Sequence, residues 1–197
     1  MLSTEQETSW LISARQGDQA AFGELVKLHQ NAVYNLAYRI LGNRVEAEDA
    51  AQETFLRAYA NLDRYDMARP FRTWLLSITS NFCIDRLRRR RLKWLSIDEP
   101  LPPRTLLHSD EPEPEEAVIA SERAALVQQL LAELSPDHRA AVVLHYWYDY
   151  SYQEIAEMLR TTESAIKSRL FRARQALAAK LIEWQRDRQL ADVFEDE

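Results

Sequence analysis

Residues 151–177 read SYQEIAEMLRTTESAIKSRLFRARQAL, and their pattern decides the fold of the second half of the chain. Ser151 followed three positions later by Glu154 is a capping box, which opens a short helix carrying Ile155, Ala156 and Leu159 on one side. Arg160, Thr161 and Thr162 leave room only for a tight turn. Beyond them Ala165, Ile166, Leu170, Ala173 and Leu177 recur at helical spacing. Two helices joined by so short a turn form a helix-turn-helix, the unit that lays its second helix in the major groove of DNA. The outward residues favour that use. Ser164, Lys167, Ser168, Arg172 and Gln175 fall opposite Ile166 and Leu170, with Arg169 and Arg174 flanking them. Such donors suit phosphate oxygens and base edges. A merely solvated basic face is the alternative, but it would not require the capping box and the turn to coincide with the basic residues.

Upstream of this unit, Leu126, Leu130 and Leu134 mark a helix. Ser135-Pro136 then supplies an N-cap and a first helical residue for another, bearing Val142, Val143, Leu144 and Tyr146. In the first half Phe22, Leu25, Val26, Val33, Leu36, Ala37 and Ile40 repeat at helical spacing, with Gly17 and Gly42 where helix ends fall. Asn43 and Glu46 offer a cap and its reciprocal partner for the next helix, which runs to about Asn61. After the irregular stretch ending in Pro70, the residues Phe71, Trp74, Leu75, Ile78 and Phe82 form the apolar stripe of a long helix that ends in RLRRRRLK. With 3 glycines and 7 prolines in 197 residues, the chain lacks the regular turn residues of a β-sandwich or barrel, so the expected fold class is all-α.

Residues 98–116, DEPLPPRTLLHSDEPEPEE, contain five of the prolines and seven acidic groups. Such a composition stays extended and separates packed units. The expected organisation is therefore a first helical domain over 1–95, an acidic linker over 96–117, a second helical domain over 118–185 and an acidic tail over 186–197. No run of apolar residues is long enough for a membrane span, and no signal pattern opens the chain, so membrane insertion is not expected and a cytoplasmic location is. Cys83 is the single cysteine, which excludes an internal disulfide framework and fits a reducing compartment.

The net charge of −6 looks unfavourable for nucleic acid, yet it is an average over segregated blocks. Residues 67–97 carry 8 basic groups and 1 acidic, and residues 160–181 carry 6 and 1, whereas 98–116 carry 1 and 7. The block Arg86 to Lys93 could be a solvated helix end, where cations are favoured by the helix dipole. Tyr65, Phe71, Trp74 and Phe82 lie just before it, however, and single strands are held by basic grooves with aromatic platforms. Most of those rings must still be core, because they follow the apolar stripe.

Asp49, Gln52, Glu53 and Leu56 make an exposed stripe on the helix whose inward side is Ala47, Ala51, Phe55 and Ala58. A lone amide between carboxylates is a poor metal site, leaving a protein-docking face or a solvated one. His29, His108, His138 and His145 are scattered without ligand spacing, and neither a Gly-rich phosphate loop nor a Ser/His/Asp arrangement is present. The residues thus indicate no cofactor and no metal, and they give no support to a nuclease or recombinase. A stand-alone helix-turn-helix regulator remains a competing reading.

Together, AEDAAQETFLRAYANLDRYD, FRTWLLSITSNFCIDRLRRR and LSPDHRAAVVLHYWYDYSYQEIAEMLRTTESAIKSRLFRARQAL resemble bacterial RNA polymerase sigma factors of the sigma-70 family, in the short two-domain extracytoplasmic-function form (group 4, sigma-24-like). The resemblance covers roughly residues 10–95 and 118–182. It implies a non-enzymatic subunit that binds core RNA polymerase through the β′ clamp helices and the β flap and directs promoter-specific initiation. By that resemblance, Asp49, Gln52 and Glu53 are the polymerase-binding stripe. Tyr65, Phe71, Trp74, Asn81, Asp85, Arg86, Arg88 and Arg89 belong to minus-ten recognition, with Asn81 as the pocket asparagine for a flipped base of the melted strand. Glu163, Ser164, Lys167, Ser168, Arg169, Phe171 and Arg172 meet the double-stranded minus-thirty-five element. An anti-sigma factor is a further partner class that the resemblance brings in. Two departures stand out: Arg160 replaces the glycine usual in the turn, and Glu163-Ser164 replaces a Pro-Gly.

Overall fold

The computed structural model describes residues 4–95 and 115–195, so most of the expected linker lies outside the described residues. Among the described residues eight α-helices follow one another: α1 Thr4–Arg15, α2 Gln19–Leu41, α3 Arg44–Ala60, α4 Phe71–Leu95, α5 Glu115–Glu133, α6 Pro136–Tyr148, α7 Tyr152–Met158 and α8 Glu163–Glu195. No strand occurs among the described residues, and the all-α expectation holds. No described helix is long and apolar enough to cross a membrane.

Local chemistry explains the helix ends. Asp18 caps α2 by accepting from the amides of Ala20 and Ala21, and Gly42 ends it at φ 72°, where a side chain would be strained. Asn43 caps α3 through the amide of Glu46 at 2.9 Å. The expected reciprocal bond is replaced: the Glu46 carboxylate turns to α4, 3.5 Å from Arg90 and 3.9 Å from Arg86. Ser135 caps α6 with Pro136 in its first turn, and Ser151 and Glu154 complete a capping box on α7.

In the first half, α1 to α4 pack around α2, whose Leu25, Val33, Leu36, Ala37 and Ile40 are buried. The buried side of α4 is wider than its apolar stripe. Leu75, Leu76, Thr79, Ser80 and Cys83 are fully enclosed, while Trp74, Ile78 and Phe82 are only partly so. Two polar residues are tolerated there because each hydroxyl donates to a carbonyl one turn back, Thr79 to Leu75 at 2.9 Å and Ser80 to Leu76 at 2.8 Å. Their small size brings α4 close to α3, where the Thr54 and Thr79 hydroxyls lie 3.2 Å apart. Burial pushes the Cys83 thiol up to about 12, which leaves it unreactive.

In the second half α6, α7 and α8 form the packed unit, centred on Val143, Leu144, Ile155, Ile166 and Leu170. Both expected helices are present, and burial along them is uneven. Leu131 near the end of α5 and Leu134 just beyond it are buried while Leu126 and Leu130 are partly so, and Tyr146 faces solvent, 52% exposed, because the fully packed run of α6 ends at Leu144. The two halves are in contact. Arg139 of α6 is buried and donates to the Ile40 carbonyl of α2 at 2.7 Å, and the Tyr148 hydroxyl donates to the Ala32 carbonyl at 2.9 Å.

Candidate nucleic-acid and protein-docking interface

On α3, Asp49, Gln52 and Leu56 are exposed and Glu53 is partly so, while Ala47, Ala50, Phe55 and Ala58 are buried. Beside this stripe an apolar groove of about 490 Å³ opens between α2 and α3, lined by Phe22, Val26, Gln52, Phe55, Leu56 and Tyr59. The rings of Phe22 and Tyr59 lie 4.9 Å apart along it, and Leu56 is 66% exposed at its rim. An apolar floor edged by an amide and carboxylates has the character of a protein-docking surface.

The loop before α4 is held by its own aromatics. Tyr65 and Phe71 are buried and Trp74 half-buried, with centroids 4.9 to 5.7 Å apart, and the Tyr65 hydroxyl donates to the Arg69 carbonyl. Burial and the nearby acids Glu7 and Asp66 push the Tyr65 phenol up to about 12. His29, within 2.9 Å of Glu7, meets the edge of Phe71. These three rings therefore act first as packing that shapes the loop.

Along α4, Asn81 is half-buried and donates through Nδ2 to the carbonyls of Ser77 and Met158, both at 2.8 Å. Asp85, Arg88 and Arg89 are exposed further on. Arg86 leans toward α3, where its guanidinium is 3.3 Å from Asp49. One candidate DNA residue and one candidate docking residue are thus paired, an arrangement invisible at their sequence separation of 37 positions.

The helix-turn-helix has the expected geometry. Ile155, Ala156, Met158, Leu159, Ile166, Leu170 and Ala173 are buried, while Glu163, Ser164, Lys167, Ser168, Phe171 and Arg172 stand exposed on one face of α8. Arg160 adopts φ 51° and ends α7 with two reversed bonds, Thr161 N to Ala156 O at 2.9 Å and Arg160 N to Glu157 O at 3.3 Å. The turn is therefore a Schellman motif with arginine at the position that favours glycine. Thr162 caps α8 through the amide of Ala165 at 3.2 Å. Glu163 lies 2.8 Å from Lys167 and holds that ammonium above the usual lysine range.

Arg169 is half-buried, 3.1 Å from Asp137, and the same carboxylate receives Arg88 at 2.8 Å. Sequence reading did not single out Asp137, Glu157, Arg69, Thr73 or Ser77, whose partners lie across the junction of the two halves. Their local patterns are those of a helix N-terminus and ordinary helix surfaces. Among the described residues no group of three His, Cys, Asp or Glu could hold a metal ion.

Comparison with known proteins accounts for this combination. The family model of sigma-70 region 2 matches residues 25–93, and that of sigma-70 region 4 matches residues 124–177. Relatives include the ECF RNA polymerase sigma factor SigW of Bacillus subtilis, 38% identical over 85% of this chain and 92% of the relative. The ECF sigma factor SigE of Mycolicibacterium smegmatis is 37% identical over 88% of this chain and 68% of its own length. Among solved structures, CnrH in complex with the cytosolic domain of CnrY superposes with a TM-score of 0.64 at 28% identity, covering 90% of this chain and 98% of that one. The sigma factor RpoE in complex with the anti-sigma factor NepR, from Bartonella quintana, gives 0.61 at 25% identity, covering 81% and 96%. With both regions matched in order, on a helical fold that exposes an amide-and-carboxylate stripe and a helix-turn-helix, the chain belongs to the sigma-70 family of RNA polymerase sigma factors, in its extracytoplasmic-function group.

Proposed function

We propose that this sigma factor docks on core RNA polymerase with Asp49, Gln52 and Glu53 of α3 against the β′ clamp helices, and with its second half against the β flap. It then reads two promoter elements and performs no chemistry itself, acting in the cytoplasm where polymerase and DNA are. In this reading residues 1–95 and 118–185 are separate functional units, with 96–117 as the linker and 186–197 as a tail. Asn81, with Arg88 and Arg89 further along α4, takes the minus-ten strand as it melts. Unstacking a base costs a few kcal/mol, and a site ready to accept the extruded base offsets that cost. Tyr65, Phe71 and Trp74 shape the loop that forms the other wall, while Asp85 and Arg86 continue the contact helix. Arg172, Lys167, Ser168, Ser164 and Phe171 meet the minus-thirty-five major groove, with Glu163 and Arg169 at its margin. An anti-sigma factor is the expected cytoplasmic antagonist, covering some of these surfaces.

The observation that carries this reading is the coexistence of an exposed amide-and-carboxylate stripe beside an apolar groove with a helix-turn-helix whose basic face is exposed. A stand-alone regulator would need only the second. Binding of the fluorescently labelled chain to purified core polymerase tests the reading. Asp49→Ala/Gln52→Ala should weaken the complex at least tenfold while Arg172→Ala leaves it unchanged, roughly the loss of one interfacial hot spot. An unchanged complex in the double variant would remove α3 from the docking surface.

A further inference from the structure

Residues 160–181 carry 6 basic groups and 1 acidic, and that acid, Glu163, is the first residue of α8. A carboxylate is favoured at a helix N-terminus, and Lys167 one turn on lies 2.8 Å from it. Either contact would be as good on a side of the helix turned away from DNA. Both side chains are nevertheless exposed on the face they share with Ser164, Ser168, Phe171 and Arg172. The leading residues of a recognition helix are those that reach base edges in the major groove. A carboxylate in that place is repelled by phosphates, and it accepts hydrogen bonds without donating any. Against base edges it acts as a filter. The cytosine N4 amine donates to it, whereas thymine O4 and guanine O6 and N7 are acceptors that it cannot pair with.

We infer that Glu163 and Lys167 together read one cytosine–guanine pair of the minus-thirty-five element, Glu163 accepting from the cytosine N4 amine and Lys167 donating to guanine O6 and N7. Across the groove that pair presents two neighbouring acceptors and then a donor, which matches an ammonium beside a carboxylate. An adenine–thymine pair presents its amine between two acceptors, adenine N7 and thymine O4, so a carboxylate aimed at the amine faces both. The ion pair already holds donor and acceptor side by side, so less rotamer freedom is lost when the two meet the bases. Much of the selectivity is exclusion: thymine or guanine in place of cytosine leaves a desolvated carboxylate against an acceptor. This inference deepens the proposed function and rests on its placement of α8 in the major groove.

The test uses the full chain with purified core polymerase in run-off transcription, on templates that carry each of the four bases in turn at every position of the upstream element. Base preferences are ratios within one variant, so a change in overall activity cancels. The unsubstituted chain should prefer cytosine to thymine about tenfold at one position, the discrimination expected of one good base contact. Glu163→Ala should bring that ratio to about twofold or less at this position and leave the others as they were. Glu163→Gln should move the preference there toward adenine, whose N6 and N7 a glutamine amide pairs with. Lys167→Met should weaken the same position and no other. Base preferences in Glu163→Ala that equal those of the unsubstituted chain would overturn the inference. A uniform gain on all templates would overturn it too, as the mark of a carboxylate that only repels phosphates. If the unsubstituted chain shows no upstream base preference, the proposed use of α8 falls with it, whereas a preference that survives Glu163→Ala removes this inference alone.

Discussion

Arg160 shows what a single position can cost and still be kept. Its φ of 51° places a long side chain in the left-handed region, which is unfavourable by about 1 to 2 kcal/mol for residues other than glycine. Arg160→Gly should therefore raise stability by about 1 kcal/mol, part of the relief being offset by the greater freedom of glycine in the unfolded chain; a denaturant midpoint that fails to rise would show that the arginine has a compensating contact. The sequence flagged this position because a glycine was missing, but whether the turn would keep its shape was not legible from one residue. His138 on α6 offers a second check. Burial, reinforced by Arg169 and Arg172, holds its imidazole below the ordinary histidine value of 6.5. The folded chain therefore binds fewer protons than the unfolded one as pH falls, so this contribution is complete above pH 6.5 and is lost below it, as pH falls through the depressed value of the folded chain. His138→Gln should flatten the decline in stability between neutral and mildly acidic pH; an unchanged profile would mean that other groups dominate it.

Among the helices, those with both a cap and a regular apolar repeat were the most legible. The α7 capping box was explicit in Ser151 and Glu154, and the structure makes both of its bonds, which hold the Glu154 carboxyl below its ordinary value. Ser151→Ala should destabilise the second half by about 1 kcal/mol, the usual value of an N-cap, as measured by its thermal unfolding. The part that depends on Glu154 ionisation is present at neutral pH and disappears as acid protonates the carboxylate. The long α4 was read correctly in extent, but its buried side was not. Thr79 and Ser80 look polar in sequence and become core because their hydroxyls are satisfied within the helix. On α8 the same periodicity separated Ile166 and Leu170 from Lys167 and Arg172, since the repeat alone decides which residues face α6 and α7. Arg172→Ala should weaken promoter use by about 1 to 3 kcal/mol at one position of the minus-thirty-five element. A uniform loss across all upstream sequences would reduce Arg172 to a phosphate contact.

Across the full chain the net charge of −6 resolves into basic blocks that structure and sequence place on α4 and α8, with acids set against them. The segregation could be read from the sequence; the pairing could not. Nothing near Asp137 in the chain announces that it will meet Arg88 and Arg169, and nothing near Met158 announces Asn81, because such contacts depend on how two packed units meet and leave no local periodic trace. The arrangement suits a subunit with the separate surfaces for polymerase and DNA proposed above. Run-off transcription with purified core polymerase tests this most directly, on a set of templates bearing varied minus-ten and minus-thirty-five sequences. Transcripts should start from particular templates only when this chain is added, and Asp49→Ala/Gln52→Ala should abolish them. Equal initiation without the chain, or undiminished initiation with the double variant, would contradict the account.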